Sequence, residues 1–194
     1  MIERKTIVWD VDDVLNDLMG SWFRLWRQAY PGCGVRYEDL KKNPPHEVLG
    51  ITMDGYLHSL DAFRLSPSYQ HMEPIKEVKE WFLQKGDQFR HLALTAVPLR
   101  AAAFSAQWVV MNFGPWIRTF HFVPSKRKDE TIPHYENDKT EALGRLGAVD
   151  FFVDDHSEHV AAAQKAGIQA LLFPRPWNSG RMTITETLAD LKVG

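Results

Sequence analysis

The chain has 194 residues, of which 44% are hydrophobic, and a formal net charge of -2 at pH 7. This length suits one domain with a sizeable core and room for an inserted subdomain. A net charge this close to zero argues against a broadly basic surface for a nucleic acid polymer or a membrane. The single cysteine, Cys33, excludes an internal disulfide. With no run near 18 apolar residues and no apolar leader at the start, the sequence predicts a cytoplasmic protein.

Short apolar runs alternate with helical patterns along most of the chain. Five runs have the length and composition of strands, at residues 5–10, 89–95, 119–123, 150–154 and 169–173. Helical patterns with start or stop signals occupy residues 73–86, 98–115, 138–147, 156–167 and 183–191. This alternation predicts an α/β fold in which helices cover both faces of a doubly wound, mostly parallel sheet.

Two of these helices carry specific signals at their first residues. Asp138 lies three positions before Glu141, and Thr183 lies three positions before Glu186. Both pairs have capping-box spacing, in which the first side chain accepts a hydrogen bond from the third helical N–H. The sequence therefore predicts helix starts at residues 138 and 183.

The segment between the first strand and residue 74 interrupts the alternation. It contains helical patterns at 19–30 and 55–65, a turn-rich connector at 31–45, and no convincing strand. We expect a small helical cap at residues 17–73, with an α/β core formed by residues 1–16 and 74–194. Such a cap would lie above the carboxyl ends of the strands, where open α/β sheets bind ligands.

Acidic side chains follow two of the predicted strands. Asp10 and Asp12 come after the first strand, Thr95 closes the second, and Asp154 and Asp155 close the fourth. In a parallel sheet all of these residues lie at one edge. Carboxylates without a histidine or cysteine cluster suit a hard cation such as Mg²⁺, which usually works beside a phosphate.

The spacing of the first two aspartates also suits phosphoryl chemistry. Asp10 is placed to act as a nucleophile that forms an aspartyl-phosphate. Asp12 is placed to protonate the leaving alkoxide and then to activate water. Thr95 and a lysine would hold the phosphoryl oxygens.

These motifs resemble those of the haloacid dehalogenase superfamily of phosphatases. The stretches "DVDDVLND", "LALTAVP" and "FFVDDH", with a lysine between the last two, match the four ordered motifs of that superfamily. "HMEPIKEVKEW" and "LLFPRPWN" are similar to segments of its 5′(3′)-deoxyribonucleotidase-like branch. In that branch glycine usually stands where this chain has Asp13, alanine where it has Asn16, and a serine follows the threonine of the second motif.

The resemblance implies a role for each matching residue. Asp10 would be nucleophile and Mg²⁺ ligand, and Asp12 would be the acid/base and bind the metal through its backbone carbonyl. Asp155 would be the third metal ligand, with Asp154 beside it or sharing the metal. The phosphoryl group would be bound by Thr95, Ala96 and Lys139.

Several assignments leave alternatives open. Lys139 begins a predicted helix just before the acidic strand, but Lys126 and Lys128 also follow a strand and compete for its role. Arg100 could reach a phosphate, although a solvated position on a helix is the simpler interpretation. His156 and His159 read as surface residues at a helix start, since a metal role would lack a third partner.

The aromatic residues of the cap also have two interpretations. They recur with helical spacing, which favours the core of the cap, yet one of them could stack on a nucleobase. They are Trp22, Phe23, Trp26 and Tyr30. Trp177 and Asn178 could cover the rim of the site or form a packed surface loop.

The sequence thus predicts a Mg²⁺-dependent phosphomonoesterase acting on a small phosphorylated substrate, plausibly a nucleotide. A phosphatase of a sugar phosphate or another metabolite fits the same motifs, because specificity would depend on the cap. A phosphate-binding regulatory module without turnover is the alternative from a different class. The resemblance also makes a homodimer reasonable.

Overall fold

A computed structural model describes residues 4–133 and 135–193. Its centre is a five-stranded sheet in the order β3-β2-β1-β4-β5, in which every neighbouring pair is parallel. The strands are β1 (Thr6–Trp9), β2 (Arg90–Val97), β3 (Ile117–Pro124), β4 (Phe151–Asp154) and β5 (Gln169–Leu172). The predicted fold class is confirmed, and all five strands lie where the sequence placed them.

The helices follow the sequence pattern closely. They are α1 (Leu18–Ala29), α2 (Met53–Arg64), α3 (Pro67–Gln70), α4 (Lys76–Lys85), α5 (Leu99–Phe113), α6 (Lys139–Arg145), α7 (Ser157–Lys165) and α8 (Ile184–Ala189). Short 3₁₀ turns span Tyr37–Asp39 and Gly86–Gln88. The sequence pattern missed α3, and it placed a helix stop at Gly86, where the chain instead continues helically into the second 3₁₀ turn.

Both predicted helix caps form. The side chain of Asp138 accepts a hydrogen bond from the N–H of Glu141 at 2.9 Å. Thr183 and Glu186 make the reciprocal pair of bonds expected of a capping box. These local contacts satisfy N–H groups that have no partner within the helix, and they fix where α6 and α8 begin.

The central strand β1 separates two layers of the core. Its four residues are wholly or almost wholly buried, as expected for a strand covered on both faces. Ile7 and Trp9 pack into a large apolar cluster that extends into the cap, whereas Val8 packs against α6 and α7 on the other face. This alternation follows from the two-residue repeat of a strand. Asp10, the next residue, is thereby delivered to the carboxyl edge of the sheet.

The helices α1, α2 and α3 form the cap and return the chain to that same edge. Asn16 and Pro74 form an isolated antiparallel bridge, and the N–H of Ile75 donates to the carbonyl of Leu15 at 3.0 Å. The two ends of the inserted segment are therefore side by side. The bounds 17–73 for the cap, and 1–16 with 74–194 for the core, stay a prediction.

The second strand is longer than its sequence pattern indicated. Thr95 was expected to close it, but β2 continues through Ala96 to Val97. The extra residues pair with the end of β3, which also runs one residue beyond its predicted end, to Pro124.

Within the described residues, none of the helices is long and apolar enough to cross a membrane.

Candidate active site

The acidic residues singled out by the sequence meet at the carboxyl edge of the sheet. Asp10 follows β1, Asp154 ends β4, and Asp155 is the next residue. Carboxylate oxygens of these three buried residues all lie within 4.8 Å of one another. Strand register explains the meeting, because β1 pairs directly with β4. Thr95, which is also buried, reaches the edge from β2 on the other side of β1.

Lys139 supplies a positive charge inside this carboxylate cluster. Its Nζ lies 2.8 Å from Oδ2 of Asp10 and 2.8 Å from Oδ2 of Asp154. The side chain is 3% exposed, so the ammonium is held in place by these contacts. As the first residue of α6, directly after the Asp138 cap, it is aimed at the site by the start of that helix.

The pKa values of the carboxyl groups show how unevenly this charge is shared. Burial, opposed by Lys139 and reinforced by Asp154 and Asp155, raises the pKa of Asp10 to about 7. Burial and the charge of Asp154 raise the pKa of Asp155 to about 6. Asp154 is equally buried, but Lys139 and a hydrogen bond from His159 hold its pKa below the usual value. Two of the three carboxyls thus carry charge at neutral pH only at a cost.

The residues present fit a divalent cation. Three carboxylates and one ammonium leave two negative charges in a buried space, and a divalent cation would balance them. The donors are oxygens only, which suits Mg²⁺ better than zinc. Asp10, Asp154 and Asp155 are therefore the side chains that could hold the metal.

Asp12 lies two residues on, and its carboxylate faces the cap. Arg64, the last residue of α2, donates from Nη2 at 2.9 Å and from Nε at 3.3 Å to Oδ2. The hydroxyl of Tyr69 in α3 donates at 3.1 Å to Oδ1, which also accepts from Nδ2 of Asn16 at 3.2 Å. The sequence did not predict these partners, because nothing in the local pattern distinguishes a cap arginine or tyrosine that turns inward.

A second buried carboxylate, that of Asp61, lies next to the Arg64–Asp12 ion pair. Asp61 lies one turn before Arg64 and 3.5 Å from its Nη1. Both oxygens of Asp61 accept from Arg127, at 2.6 Å and 2.8 Å, in a two-pronged ion pair. Arg127 follows β3, so the pair ties the cap to the core.

Asp13 occupies a backbone position that favours glycine. Its φ of 64° is left-handed, which an aspartate tolerates better than most residues. The Oδ1 of Asp13 accepts from the N–H of Met19 at 2.9 Å, and its carbonyl accepts from Nε of Arg175 at 2.7 Å. Asn16 accepts from the N–H of Leu18 and of Asp13 through Oδ1, at 3.0 Å and 3.3 Å. These bonds give Asp13 and Asn16 defined partners at two of the three positions that differ from the deoxyribonucleotidase-like motifs.

Side chains after β4 and β5 orient the other carboxylates. Trp177 donates its indole N–H at 2.7 Å to Oδ2 of Asp155, and Asn178 donates at 2.8 Å to the carbonyl of Asp155. Both residues thus contact Asp155, but neither lines the cavity between the carboxylates and the cap, and the rim position considered for them stays a prediction. His159 lies 3.2 Å from Asp154, and both His156 and His159 line the cavity between the carboxylates and the cap. Both histidines are therefore closer to the site than a surface interpretation implied.

The competing cations lie elsewhere. Lys128 pairs with Asp54 at 2.6 Å in an exposed contact, and Lys126 is exposed. Arg100 pairs with two acidic residues, Asp129 and Glu130, at the start of α5. Of the three candidate lysines, only Lys139 contacts the carboxylate cluster.

The aromatic residues of the cap are core residues for the most part. Trp22, Phe23 and Trp26 are no more than 7% exposed, and Tyr30 stacks on Trp26 at 4.6 Å. None of these four residues lines the cavity above the carboxylates. The cap instead contributes Tyr56, which is buried at the cavity wall.

That cavity has a volume of about 260 Å³ and joins the two groups of residues. Asp10, Lys139, Thr95 and Ala96 line its core side. On its cap side α2 contributes Met53, Tyr56, Leu57, Leu60 and Arg64. Among the described residues, Arg64 is the one charged side chain of the cap that lines this space.

Comparison with known proteins supports the fold. No protein-family model and no curated protein matches the chain. Among solved structures, a candidate β-phosphoglucomutase from Thermotoga maritima matches with a TM-score of 0.57 and 18% identity, covering 96% of this chain and 98% of the other. A haloacid dehalogenase-like hydrolase from Streptococcus pneumoniae matches with a TM-score of 0.59 and 11% identity over 97% and 92%. A haloacid dehalogenase superfamily hydrolase from Geobacter sulfurreducens matches with a TM-score of 0.53 and 12% identity, covering 97% of each chain.

These matches define the class of fold. The chain shares the Rossmann-like α/β fold, with its five-stranded parallel sheet, of haloacid dehalogenase-type hydrolases over nearly its whole length. The TM-scores of 0.53 to 0.59 show a shared fold, and at identities of 11–18% they carry no information on substrate or chemistry.

Proposed function

We propose that the protein is a Mg²⁺-dependent phosphomonoester hydrolase that works through an aspartyl-phosphate. The observation that carries this proposal is the buried cluster of Asp10, Asp154 and Asp155 around Lys139, with Asp12 two residues beyond Asp10. A binding module would need the metal and phosphate groups, but it would not need a second carboxylate beside the first.

The first half of the reaction would transfer the phosphoryl group to Asp10. An oxygen of Asp10 attacks phosphorus, the bond from phosphorus to the ester oxygen breaks, and the leaving alkoxide takes a proton from Asp12. Lys139 already holds Asp10 at 2.8 Å, so it keeps the nucleophile oriented and offers positive charge to the phosphoryl oxygens. Thr95 and Ala96 line the same wall and would bind those oxygens.

The second half would hydrolyse the intermediate. Asp12 takes a proton from water, the water oxygen attacks phosphorus, and the bond from phosphorus to Asp10 breaks to give inorganic phosphate. A bound Mg²⁺ would offset the negative charge shared by the carboxylates and the phosphoryl group. Closure of the cap would keep other water molecules out until the leaving group departs.

The substrate we propose is a small phosphomonoester, with a nucleotide as the first candidate and a sugar phosphate as the second. The nucleotide rests on the resemblance to the deoxyribonucleotidase-like motifs, and Tyr56 is the aromatic side chain available to a base in the cavity. The buried cap residues Trp22, Phe23 and Trp26 do not serve that purpose.

Phosphate release tests the proposal directly. The panel comprises 5′- and 3′-nucleotides, sugar phosphates and a generic aryl phosphate, each with Mg²⁺ and with EDTA. We expect release that requires Mg²⁺. Preference for deoxynucleotides would support the nucleotidase assignment, and release from sugar or aryl phosphates alone would remove it while keeping the mechanism.

The acid/base role of Asp12 has its own test. Asp12→Asn keeps the size of the side chain but cannot donate or accept the proton, so we expect kcat to fall by about 10²- to 10⁴-fold. Mg²⁺ binding, measured by calorimetry, should change little. Asp54→Asn is the matched control, because Asp54 is exposed and pairs only with Lys128. Unchanged turnover in Asp12→Asn would refute the assignment.

A further inference from the structure

Arg64 forms a buried ion pair with Asp12, the carboxylate that acts as acid/base in the proposed reaction. Its guanidinium spans Oδ2 of Asp12 at 2.9 Å and 3.3 Å, while Tyr69 and Asn16 hold Oδ1 at 3.1 Å and 3.2 Å. Four donors thus fill both oxygens. An oxygen of Asp12 cannot face a leaving group while it holds both nitrogens of Arg64, so at least this contact must open before turnover.

Once released, Arg64 has no adequate partner within residues 4–133 and 135–193. Its side chain is 9% exposed, and its nearest other carboxylate, Asp61, is 3.5 Å away. Both oxygens of Asp61 are already held by Arg127 at 2.6 Å and 2.8 Å. Two buried guanidinium groups would then share one carboxylate, which leaves one positive charge without a counterion.

The other carboxylates at the cavity are also occupied. Asp10 holds Lys139, Asp155 accepts from Trp177, and Asp13 accepts from the backbone of Met19. None of these three carboxylates forms an ion pair with Arg64, whose ion-pair partners are Asp12 and Asp61. An anionic group of the molecule in the cavity would supply the replacement for Asp12. Around Arg64 the wall formed by α2 is apolar, with Met53, Leu57 and Leu60, so a group that entered there would find Arg64 as its only charged partner from the cap.

We infer that the preferred substrate is a phosphomonoester whose leaving group carries a second anionic group, and that Arg64 is the specificity-determining residue that binds it. The second anion, a carboxylate or a second phosphate, draws Arg64 away from Asp12 and frees the acid/base for the leaving oxygen. A substrate without that group must break the Arg64–Asp12 ion pair without replacing it. This inference rests on the proposed function and narrows its substrate class.

The test uses three matched pairs of esters. They are ethylene glycol monophosphate with 2-phosphoglycolate, glycerol 3-phosphate with 3-phosphoglycerate, and a deoxynucleoside 5′-monophosphate with its 3′,5′-bisphosphate. Wild-type protein with Mg²⁺ should have kcat/KM at least about tenfold higher for the charged member of at least one pair, in line with about 1.4 kcal/mol per tenfold. The first two pairs report a carboxylate and the third reports a phosphate.

Arg64→Gln should reduce that ratio to near one, and Arg64→Lys should restore part of it because the charge is kept. Arg36→Gln is the control, since Arg36 forms an exposed ion pair with Asp39 and should leave the ratio intact. A wild-type ratio near one in all three pairs, or a ratio that survives in Arg64→Gln, would overturn the inference while phosphate release upheld the proposed function. No release from any ester would refute both.

A second measurement needs no variant, in case Arg64→Gln does not fold. Products that carry the anion should inhibit wild-type hydrolysis of an aryl phosphate better than neutral products of the same size. Glycolate is compared with ethylene glycol at equal concentrations. Stronger inhibition by glycolate supports a site for a carboxylate. Equal or weaker inhibition by glycolate counts against a carboxylate as the second anionic group. The pair of nucleotide esters then decides whether that group is a phosphate or whether the inference fails.

Discussion

Trp9, the last residue of β1, and Asp10, the residue that follows it, belong to two buried polar clusters of opposite character. Trp9 donates its indole N–H at 3.0 Å to Nδ1 of His91, whose Nε2 contacts the carbonyl of Gly86 at 2.8 Å. Asp10, the next residue, faces Asp154 and Asp155 with one ammonium among three carboxylates. The His91 cluster is neutral and both ring nitrogens of His91 have partners, whereas the Asp10 cluster carries excess charge.

The difference separates groups that stabilise the fold from groups kept for a ligand. In the His91 cluster, rings of Phe82 and Trp81 lie 4.7 Å and 6.0 Å from the imidazole. Burial lowers the pKa of His91 to about 4, which keeps it neutral and matched to its two hydrogen bonds. In the Asp10 cluster burial raises the pKa of two carboxyls, a cost that a bound cation would remove.

The largest expected effect separates activity from stability at Asp10. Asp10→Asn removes the proposed nucleophile, so we expect turnover to fall at least about a thousandfold. Because the change also removes one of three facing carboxylates, the melting temperature without metal should equal or exceed that of the wild type. Phosphate release and thermal unfolding in EDTA measure the two effects. A large fall in melting temperature with activity retained would reverse the roles assigned to the two clusters.

The second prediction concerns His91 and acid. The ordinary histidine pKa of 6.5 applies to the unfolded chain, and the folded value is about 4. Between these values the unfolded chain binds the proton and the folded protein does not. The stability contributed by neutral His91 is thus complete above about pH 6.5 and is lost as the pH falls toward 4, by up to about 3 kcal/mol.

Denaturant unfolding at pH 7 and pH 4.5 measures this loss against a variant that cannot titrate. His91→Gln should be less stable at pH 7 and should lose less stability on acidification than the wild type. His58→Gln is the control, because His58 is exposed in α2. If His91→Gln and the wild type lost the same free energy on acidification, His91 would not be the buried neutral group described here.

The smallest expected effect tests whether the N-terminal cap of α6, formed by Asp138, helps to position Lys139 in the Asp10 cluster. Asp138→Ala removes the bond to the N–H of Glu141 and should cost about 1 kcal/mol, or about 2–4 °C in melting temperature. Because Lys139 is the next residue, kcat/KM should also fall by a few fold. Thr183→Ala is the matched control, since it removes the corresponding cap of α8 away from the site. Equal activity in the two variants would show that the cap does not position Lys139.

The strands, the starts of α6 and α8 and the carboxylate group could be predicted from the sequence, because the signals for them are local. Apolar runs of strand length, capping pairs such as Asp138 with Glu141, and aspartates placed directly after strands depend on neighbours within a few residues. Parallel pairing then requires the ends of β1 and β4 to meet, so the group formed by Asp10, Asp154 and Asp155 follows from pattern and topology together.

The partners of Asp12 could not be found in this way. Arg64, Asp61 and Arg127 are ordinary charged residues in sequence, and a helix-face arginine is usually solvated. Arg100, for instance, does pair at the surface with Asp129 and Glu130. Which arginine turns inward depends on how α2 and the loop after β3 pack against the carboxyl edge, over separations of 52 and 66 residues.

The sequence by itself determined the five strands, the helices other than α3, and the acidic motifs at the strand ends. Only the tertiary structure decided that Lys139 lies among the carboxylates, that Arg64 holds Asp12, and that the aromatic residues of α1 are core. The physical reason is the separation in sequence between the residues that interact. Periodicity, capping and turn geometry act between near neighbours, whereas the placement of a buried charge is settled by every group that packs around it.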